Sequence, residues 1–368
     1  MSARAPDVEL GDEPPQGPPA HASMRLAAVV LLLLAVLGTA AAAARARRPL
    51  GAVEHRAAAA PAAPPAALLE GDRGEGGRGV SQSLAAGDHT CAVLQSGSEV
   101  RCWGFNNWGQ ASPPEDLGPV HAVAAGVFHT CAVLRPSREM RCWGRNVDGE
   151  SSVPGDLGPV LSVAAGELHT CAVLQSGTVR CWGSGDNGET SVPEDLGQVL
   201  AIEAGEFHTC AVLLSSSEVR CWGANAYGQA SVPKDLGPVF AVAAGEFYTC
   251  AVLQSSSEVR CWGRNEDGQA SVPQDMGPVF TVAAGDSHTC AVLHSSSEVR
   301  CWGDNRHGEA SVPEDLGPVA AVAAGLSHTC AVLQPSSEVR CWGADHAASV
   351  PEDLGPVPAC SLGPWLSA

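Results

Sequence analysis

Seven copies of a unit of about 40 residues fill most of the chain, and every copy carries two cysteines. In the sixth copy these cysteines lie within residues 288–303, H-T-C-A-V-L-H-S-S-S-E-V-R-C-W-G. The first cysteines of successive copies are 40 residues apart, with one spacing of 39. A fixed period in this range is typical of a propeller, a solenoid or an array of repeats. The repeat therefore limits the possible folds more strongly than any other feature.

Each pair of cysteines is predicted to face across a β-hairpin. In the sixth copy, two β-prone runs, 291–293 and 298–300, flank a turn of three serines. Folding the chain about this turn places Cys290 opposite Cys301, with both side chains on one face. Opposed Cβ atoms in an antiparallel pair are about 4.5–5.5 Å apart, and local twist brings them within reach of a disulfide. The third copy is one residue shorter, but the loss falls in its turn.

We therefore expect one disulfide in each copy, with buried free thiols as the alternative. Zinc is disfavoured because the chain has no C-x-x-C pair. The predicted pairs are Cys91–Cys102, Cys131–Cys142, Cys171–Cys181, Cys210–Cys221, Cys250–Cys261, Cys290–Cys301 and Cys330–Cys341.

The fifth copy shows how a whole unit is predicted to fold. A first strand of small residues covers 240–244, and the hairpin strands cover 249–253 and 258–262. A short fourth strand is expected at 270–272, ended by Pro273. Four short strands per unit, separated by glycine and proline, are typical of a β-propeller blade. A solenoid is the alternative, but neither terminal copy looks like the polar cap that a solenoid needs.

The sequence thus predicts an all-β, seven-bladed β-propeller over residues 80–357, followed by a tail at 358–368. Two segments, 79–87 and 355–360, resemble the start of a first strand. We expect only one of them to complete the ring, with the other spare or stacked on an edge.

The first 79 residues have a different composition. Residues 1–23 are Pro-rich and polar and are predicted to be disordered. Residues 24–44 start with Met24-Arg25, continue as an uncharged apolar run and end in small residues, as a signal peptide does. Residues 45–79, rich in Ala, Pro and Gly, are expected to be a linker or propeptide, and their first four residues resemble a furin-type site.

A membrane anchor is the alternative for residues 24–44. Read from Met1, the apolar run is long enough for a type II single-pass protein. The arginines that follow the run would then favour a cytosolic location for the repeats, whereas disulfides favour the opposite side. Cleavage removes this conflict, so we expect a secreted protein. The true start, Met1 or Met24, and the fate of this segment stay open.

The repeats read V-A-A-G-x-x-H-T-C-A-V-L…E-V-R-C-W-G-x-N-x-x-G-Q and resemble those of the regulator-of-chromosome-condensation family. The cysteine-bearing form is most similar to the extracellular repeats of Crinkly-type plant receptor kinases and of secreted bacterial relatives. The resemblance implies a seven-bladed propeller. The family includes exchange factors for a small nuclear GTPase, light sensors, β-lactamase inhibitors and ligand-binding ectodomains, so fold alone does not assign a function. The sequence contains no kinase segment, so a receptor kinase is not expected.

Binding residues are expected where the copies differ, in the loop tips that follow C-W-G. Trp108 and Tyr227 are the best anchors, because exposed aromatic residues dominate binding hot spots. Neutral drift in exposed turns is the alternative. The predicted binding face comprises Trp108, Asp148, Asn187, Tyr227, Asp267 and His307.

Residues that recur in equivalent positions are expected to be structural. The histidine before Thr-Cys occurs in six copies, with Tyr248 in the fifth, and is predicted to bond backbone at the blade junction rather than to bind metal. The tryptophans of C-W-G are expected to pack between blades, with possible stacking on arginines such as Arg300. An aspartate in each crossover, for example Asp275, is typical of a turn cap.

No catalytic motif, metal site or cofactor site is recognised. The net charge of −19 disfavours nucleic acid and anionic membranes and favours a basic or neutral protein or ligand. The predicted function is therefore a non-enzymatic extracellular binding module. An intracellular exchange factor or scaffold and an enzyme inhibitor are the alternatives. Cys360 is the unpaired cysteine, and a disulfide-linked dimer through it is possible.

Overall fold

The computed structural model describes residues 82–344 and 348–358. The N-terminal segments 1–23, 24–44 and 45–79 and the tail cysteine Cys360 lie outside the described residues. No helix in the described part of the chain is long and apolar enough to cross a bilayer.

Seven three-stranded antiparallel sheets form the blades of a β-propeller, each built from consecutive strands. Blade 1 is β1–β3, blade 2 is β4–β6, and so on to blade 7. The strands are β1 Leu84–Ala86, β2 His89–Val93, β3 Val100–Gly104, β4 Val120–Ala125, β5 His129–Leu134, β6 Met140–Gly144, β7 Val160–Ala165, β8 His169–Leu174, β9 Val179–Gly183, β10 Val199–Ala204, β11 His208–Leu213, β12 Val219–Gly223, β13 Val239–Ala244, β14 Tyr248–Leu253, β15 Val259–Gly263, β16 Val279–Ala284, β17 His288–Leu293, β18 Val299–Gly303, β19 Val319–Ala324, β20 His328–Leu333 and β21 Val339–Gly343.

The hairpin register places the two cysteines of every blade directly opposite each other, as in Cys290↔Cys301. All seven pairs are joined as disulfides, with Cα–Cα distances of 4.0–4.1 Å. The shorter third copy keeps the same pairing between Cys171 and Cys181. The alternation of side chains along the strands therefore sets the disulfide pattern.

The prediction of a fourth strand in each blade is wrong. In blade 5, the backbone N–H of Ala270 donates to Oδ1 of Asn265 at 2.9 Å, and that of Ser271 donates to the carbonyl of Gly268. Pro273 has no N–H to offer. The donors of this segment are thus used within the loop or are missing, and residues 270–272 follow the blade as a turn and an irregular segment.

The core lies between neighbouring blades rather than in one central cluster. One such cluster joins Cys250 and Val252 of blade 5 to Val282, Ala291 and Trp302 of blade 6. The innermost strands carry mostly alanine and valine, which lets seven strands approach one axis. Each sheet buries both faces against its neighbours, so a blade is stable only as part of the ring.

Both ends of the described chain build blade 1. The short strand β1 pairs with β2, and the carbonyl of Gly87 accepts a hydrogen bond from the N–H of Leu326 in blade 7. The other blades have an inner strand of six residues, whereas β1 has three. Within the described residues, the N-terminal segment therefore supplies only half of an inner strand.

The C-terminal segment supplies the other half. The N–H of Val357 donates to the carbonyl of Ser337, as Val319 does to Ser297 at the start of β19. The hydroxyl of Ser83 then donates to the carbonyl of Pro358 at 2.7 Å and joins the two segments. The expectation that only one segment completes the ring is therefore wrong. Among the described residues, both segments therefore contribute to the inner edge of blade 1.

Candidate binding face and central channel

The loop tips lie at the same edge of every blade as the inner loops that join the first and second strands. In blade 4, the N–H of Ala224, just after C-W-G, donates to the carbonyl of Phe207 in the inner loop. The same contact joins Arg264 to Phe247 in blade 5. The opposite edge carries the hairpin turns and the crossovers. The six predicted binding residues therefore occupy one face, which we call the tip face.

Buried side chains hold the tips in a fixed shape. In every described tip, the backbone N–H of the predicted binding residue donates to the side chain two positions later, at 2.7–3.0 Å. These bonds are Trp108–Gln110, Asp148–Glu150, Asn187–Glu189, Tyr227–Gln229, Asp267–Gln269 and His307–Glu309. The acceptor side chains are buried. The tips are therefore pre-formed, and their outward side chains are presented on a rigid support.

Three apolar side chains stand out on the tip face. Trp108 is 50% exposed, Tyr227 is 48% exposed and Val147 is 68% exposed. The guanidinium of Arg145 lies 5.7 Å from the centre of the Trp108 ring. The ring of Tyr227 packs on Phe247 at 5.1 Å.

The four other predicted binding residues are less uniform. The carboxylate of Asp148 is bonded to Arg145 at 2.7 Å, and Asp267 is partly buried beside Arg264. Asn187 and His307 are exposed. Two of the six residues are thus engaged by neighbouring arginines.

Acidic side chains surround the mouth of the central channel on the same face. Glu206, Glu246 and Asp286 come from the inner loops of blades 4, 5 and 6, and one oxygen of each lies within 4.8 Å of the others. Burial raises the pKa of Glu206 and Glu246, and the neighbouring carboxylates raise both further. The Nη1 atom of Arg264 contacts Glu246 at 3.1 Å and compensates part of this charge. The three oxygens can converge on a cation.

Aromatic rings alternate with these carboxylates. Phe207 follows Glu206, Phe247 follows Glu246, and the two phenyl rings stack with centroids 5.3 Å apart. With Tyr227 they form an aromatic row beside the acidic mouth. Carboxylates next to aromatic faces are suited to cationic groups.

The channel below the mouth has a volume of about 300 Å³ and is lined mainly by alanine, valine and glycine of the inner strands. Glu203 is the acidic residue that an inner strand contributes to this lining. The residue paired with the first cysteine of each blade is alanine in six blades, at 85, 124, 164, 243, 283 and 323, and glutamate in blade 4. Burial raises the pKa of Glu203 to about 8. Sequence reasoning did not single it out, although the change from V-A-A-G to I-E-A-G was visible.

The repeated histidines join neighbouring blades. Nε2 of His89, His129, His169, His208, His288 and His328 each contacts a threonine Oγ1 of the next blade round the ring. The sequence predicted a backbone partner for these histidines, whereas in the structure Nε2 contacts the threonine hydroxyl. In the fifth blade, the hydroxyl of Tyr248 donates to the backbone carbonyl of His288. Burial lowers the pKa of four of these histidines to about 3 and that of His288 to about 4.

The tryptophans also connect blades, as expected. The indole of Trp302 in blade 6 donates to the backbone carbonyl of Gln269 in the preceding blade at 2.9 Å, and five equivalent bonds repeat round the ring. Arg300, expected near a tryptophan, instead contacts Asp275 at 2.9 Å. The crossover aspartates thus pair with an arginine of the next blade rather than serving only as turn caps.

The fold and its repeated disulfides define a seven-bladed β-propeller built from cysteine-bearing repeats. Five segments, 120–150, 160–189, 199–229, 241–269 and 281–309, match the regulator of chromosome condensation (RCC1) repeat. These five repeats resemble those of the RCC1-repeat family, and two solved Crinkly-type ectodomains share the fold.

Two solved plant structures are similar to this chain. The ectodomain of the receptor kinase CR4 from Physcomitrella patens has 27% identity and a TM-score of 0.61, covering 72% of this chain and 74% of that one. The CRINKLY WD40 ectodomain of the receptor kinase ACR4 from Arabidopsis thaliana has 26% identity and a TM-score of 0.62, covering 74% and 99%.

A third structure shares the fold alone. Prp20p from Saccharomyces cerevisiae, studied for its binding to Gsp1p and histones, has 20% identity and a TM-score of 0.52, covering 66% of this chain and 79% of that one. A comparison with curated proteins found no match.

Proposed function

We propose that this propeller is an extracellular, non-enzymatic binding module that recognises a basic or neutral protein through its tip face. The observation that carries the proposal is the pair of half-exposed aromatic residues, Trp108 and Tyr227, on hydrogen-bonded tips of the face that also carries the acidic mouth. Rigid aromatic side chains bury large areas at a small cost in conformational entropy.

Charge supports a basic partner rather than an acidic one. The whole chain has a net charge of −19, and Glu206, Glu246 and Asp286 meet on the tip face. An approaching cationic surface would be attracted over a range set by ionic strength. We therefore expect association to slow as salt is added.

The seven disulfides support an extracellular location, because such bonds persist in oxidising compartments. The likeness to two receptor-kinase ectodomains agrees with this location. The likeness to Prp20p concerns the fold and carries no residue of a nucleotide-exchange site to this chain.

The test is a binding screen of the oligomerised protein against a panel of purified extracellular proteins, followed by titration of each hit. Trp108→Ala together with Tyr227→Ala is expected to weaken binding by about 30-fold or more, since a hot-spot truncation costs at least about 2 kcal/mol.

The matched control carries Gln95→Ala and Gln274→Ala, which change exposed residues at the opposite edge of the blades. Its affinity should equal that of the parent protein. Equal affinity for the tip variant, with folding unchanged, would show that another surface binds the partner.

A further inference from the structure

The central channel contains one polar station that neither the repeat architecture nor the tip face explains. Gln82, at the start of the N-terminal segment, donates from Nε2 to Oε1 of Glu203 at 3.5 Å. Its own Oε1 is buried and has no hydrogen-bond partner among the described residues. Gln82 and Glu203 both line the channel, and one long hydrogen bond joins them. A ligand rich in donors would satisfy both.

The rest of the channel limits the shape of such a ligand. Alanine, valine and glycine make up most of the remaining channel lining, with Ser162 and Thr281 as its uncharged polar residues. They offer contact to methylene groups and few polar partners. A metal ion at Glu203 would need several oxygen ligands around it, which this wall does not provide. A slender alkyl chain ending in an ammonium group uses both the wall and the carboxyl.

A second acidic station lies further along the same chain segment. Glu206 is three residues after Glu203 and meets Glu246 and Asp286 at the mouth. At about 3.3 Å per residue, the two stations are separated by up to about 10 Å along the channel. This spacing, with an apolar wall between two acidic ends, is complementary to a molecule with two cationic ends and an alkyl middle.

We propose that the channel is a binding site for a linear aliphatic diamine or polyamine. One ammonium group bonds to Glu203 and Oε1 of Gln82. The methylene chain lies against the alanines of the inner strands. The second ammonium group bonds among Glu206, Glu246 and Asp286 at the mouth. This site goes beyond the proposed function, because it takes a small molecule inside the ring and uses neither Trp108 nor Tyr227.

Protonation provides an additional readout. The pKa of Glu203, raised to about 8 by burial, means that its carboxyl is mostly neutral at pH 7. An ammonium group favours the ionised carboxylate, so binding at pH 7 should release protons from Glu203. The other titratable groups that line the channel are Glu206, Glu246 and Asp286, and those with a raised pKa contribute in the same direction. Affinity should therefore rise between pH 6 and pH 8.

The chain itself suggests the test variant. Glu203→Ala gives blade 4 the alanine that the other six blades have, so the fold should be retained. We expect its thermal unfolding temperature to rise, because a buried acid is removed. Glu194→Ala, at an exposed residue of the crossover that precedes blade 4, is the control.

The full chain would be titrated by calorimetry with diamines of four to eight carbons, with spermidine and with pentylamine. We expect a diamine or spermidine to bind at least about tenfold more tightly than pentylamine, and Glu203→Ala to remove at least about tenfold of that affinity. Titration in two buffers of different ionisation enthalpy should show proton release at pH 7 that is smaller in the variant, because only Glu203 is removed.

Three results would overturn the proposal. They are undetectable diamine binding at millimolar concentration, equal affinities for pentylamine and the diamines, and unchanged diamine affinity in a folded Glu203→Ala protein. Tip-face variants should leave diamine affinity unchanged, so this site and the proposed function can fail separately.

Discussion

The ring of buried histidines makes the stability of this propeller dependent on pH. Burial lowers the pKa of His129 from its usual value of 6.5 to about 3. Between these two values the unfolded chain binds a proton at this position and the folded chain does not. Stability from the neutral side chain is therefore fully present above pH 6.5 and is lost as pH falls towards 3.

The size of the effect follows from the two pKa values. Between pH 7 and pH 5, one such histidine lowers the free energy of unfolding by about 2 kcal/mol, because one pKa unit corresponds to about 1.36 kcal/mol. Glu203 acts in the opposite direction, because its raised pKa makes the folded protein gain stability as pH falls. The pH dependence of the whole protein's stability is therefore a sum of opposing contributions. A comparison of the parent protein with a single variant isolates the contribution of one histidine.

His129→Tyr is the informative change, because the fifth blade already carries Tyr248 at this position. We expect the variant to lose about 2 kcal/mol less than the parent protein between pH 7 and pH 5. The assay is guanidinium unfolding at both pH values with disulfides intact, analysed by linear extrapolation. His307→Gln, at an exposed tip, is the control. An identical loss in parent and His129→Tyr proteins would refute the argument.

Three further predictions concern the scaffold. Replacing both Cys171 and Cys181 by serine should lower the free energy of unfolding by about 3 kcal/mol, according to the loop-entropy model of disulfides. After reduction of all disulfides, the parent and the variant should have equal stability. Val357→Ala should cost about 2 kcal/mol and raise protease sensitivity near blade 1, because the side chain is fully buried in the C-terminal segment; a neutral result would contradict the contribution of this segment to blade 1. Gly126→Ala should lower the unfolding temperature much more than Gly149→Ala. The new Cβ at position 126 would lie 2.3 Å from the carbonyl oxygen of Gly166, whereas Gly149 has a φ of +84° but open space around it. Equal shifts of the unfolding temperature in calorimetry would argue against this close approach.

Much of the repeat could be predicted from the sequence because its determinants are local. The opposed Cys290 and Cys301 follow from a short turn and the alternation of side chains along a strand. The period of about 40 residues indicated a ring or solenoid, and the absence of polar caps favoured the ring. The tip positions were found because they vary within an otherwise constant unit.

Contacts that the repeat pattern does not reveal, one local and one distant, decided the rest. Asn265 accepts a hydrogen bond from Ala270 and so removes the expected fourth strand. Ser83 and Pro358, 275 residues apart, meet to complete blade 1 only when the ring has closed.

The sequence by itself determined the repeat, the hairpins and the disulfide partners, because each depends on neighbours within one unit. Only the tertiary structure decided which polar groups converge. Glu206, Glu246 and Asp286 are each one member of a repeated inner loop, and they become one acidic mouth because three consecutive blades point these loops at the same axis. Glu203 likewise becomes a channel group because the inner strands face each other across that axis.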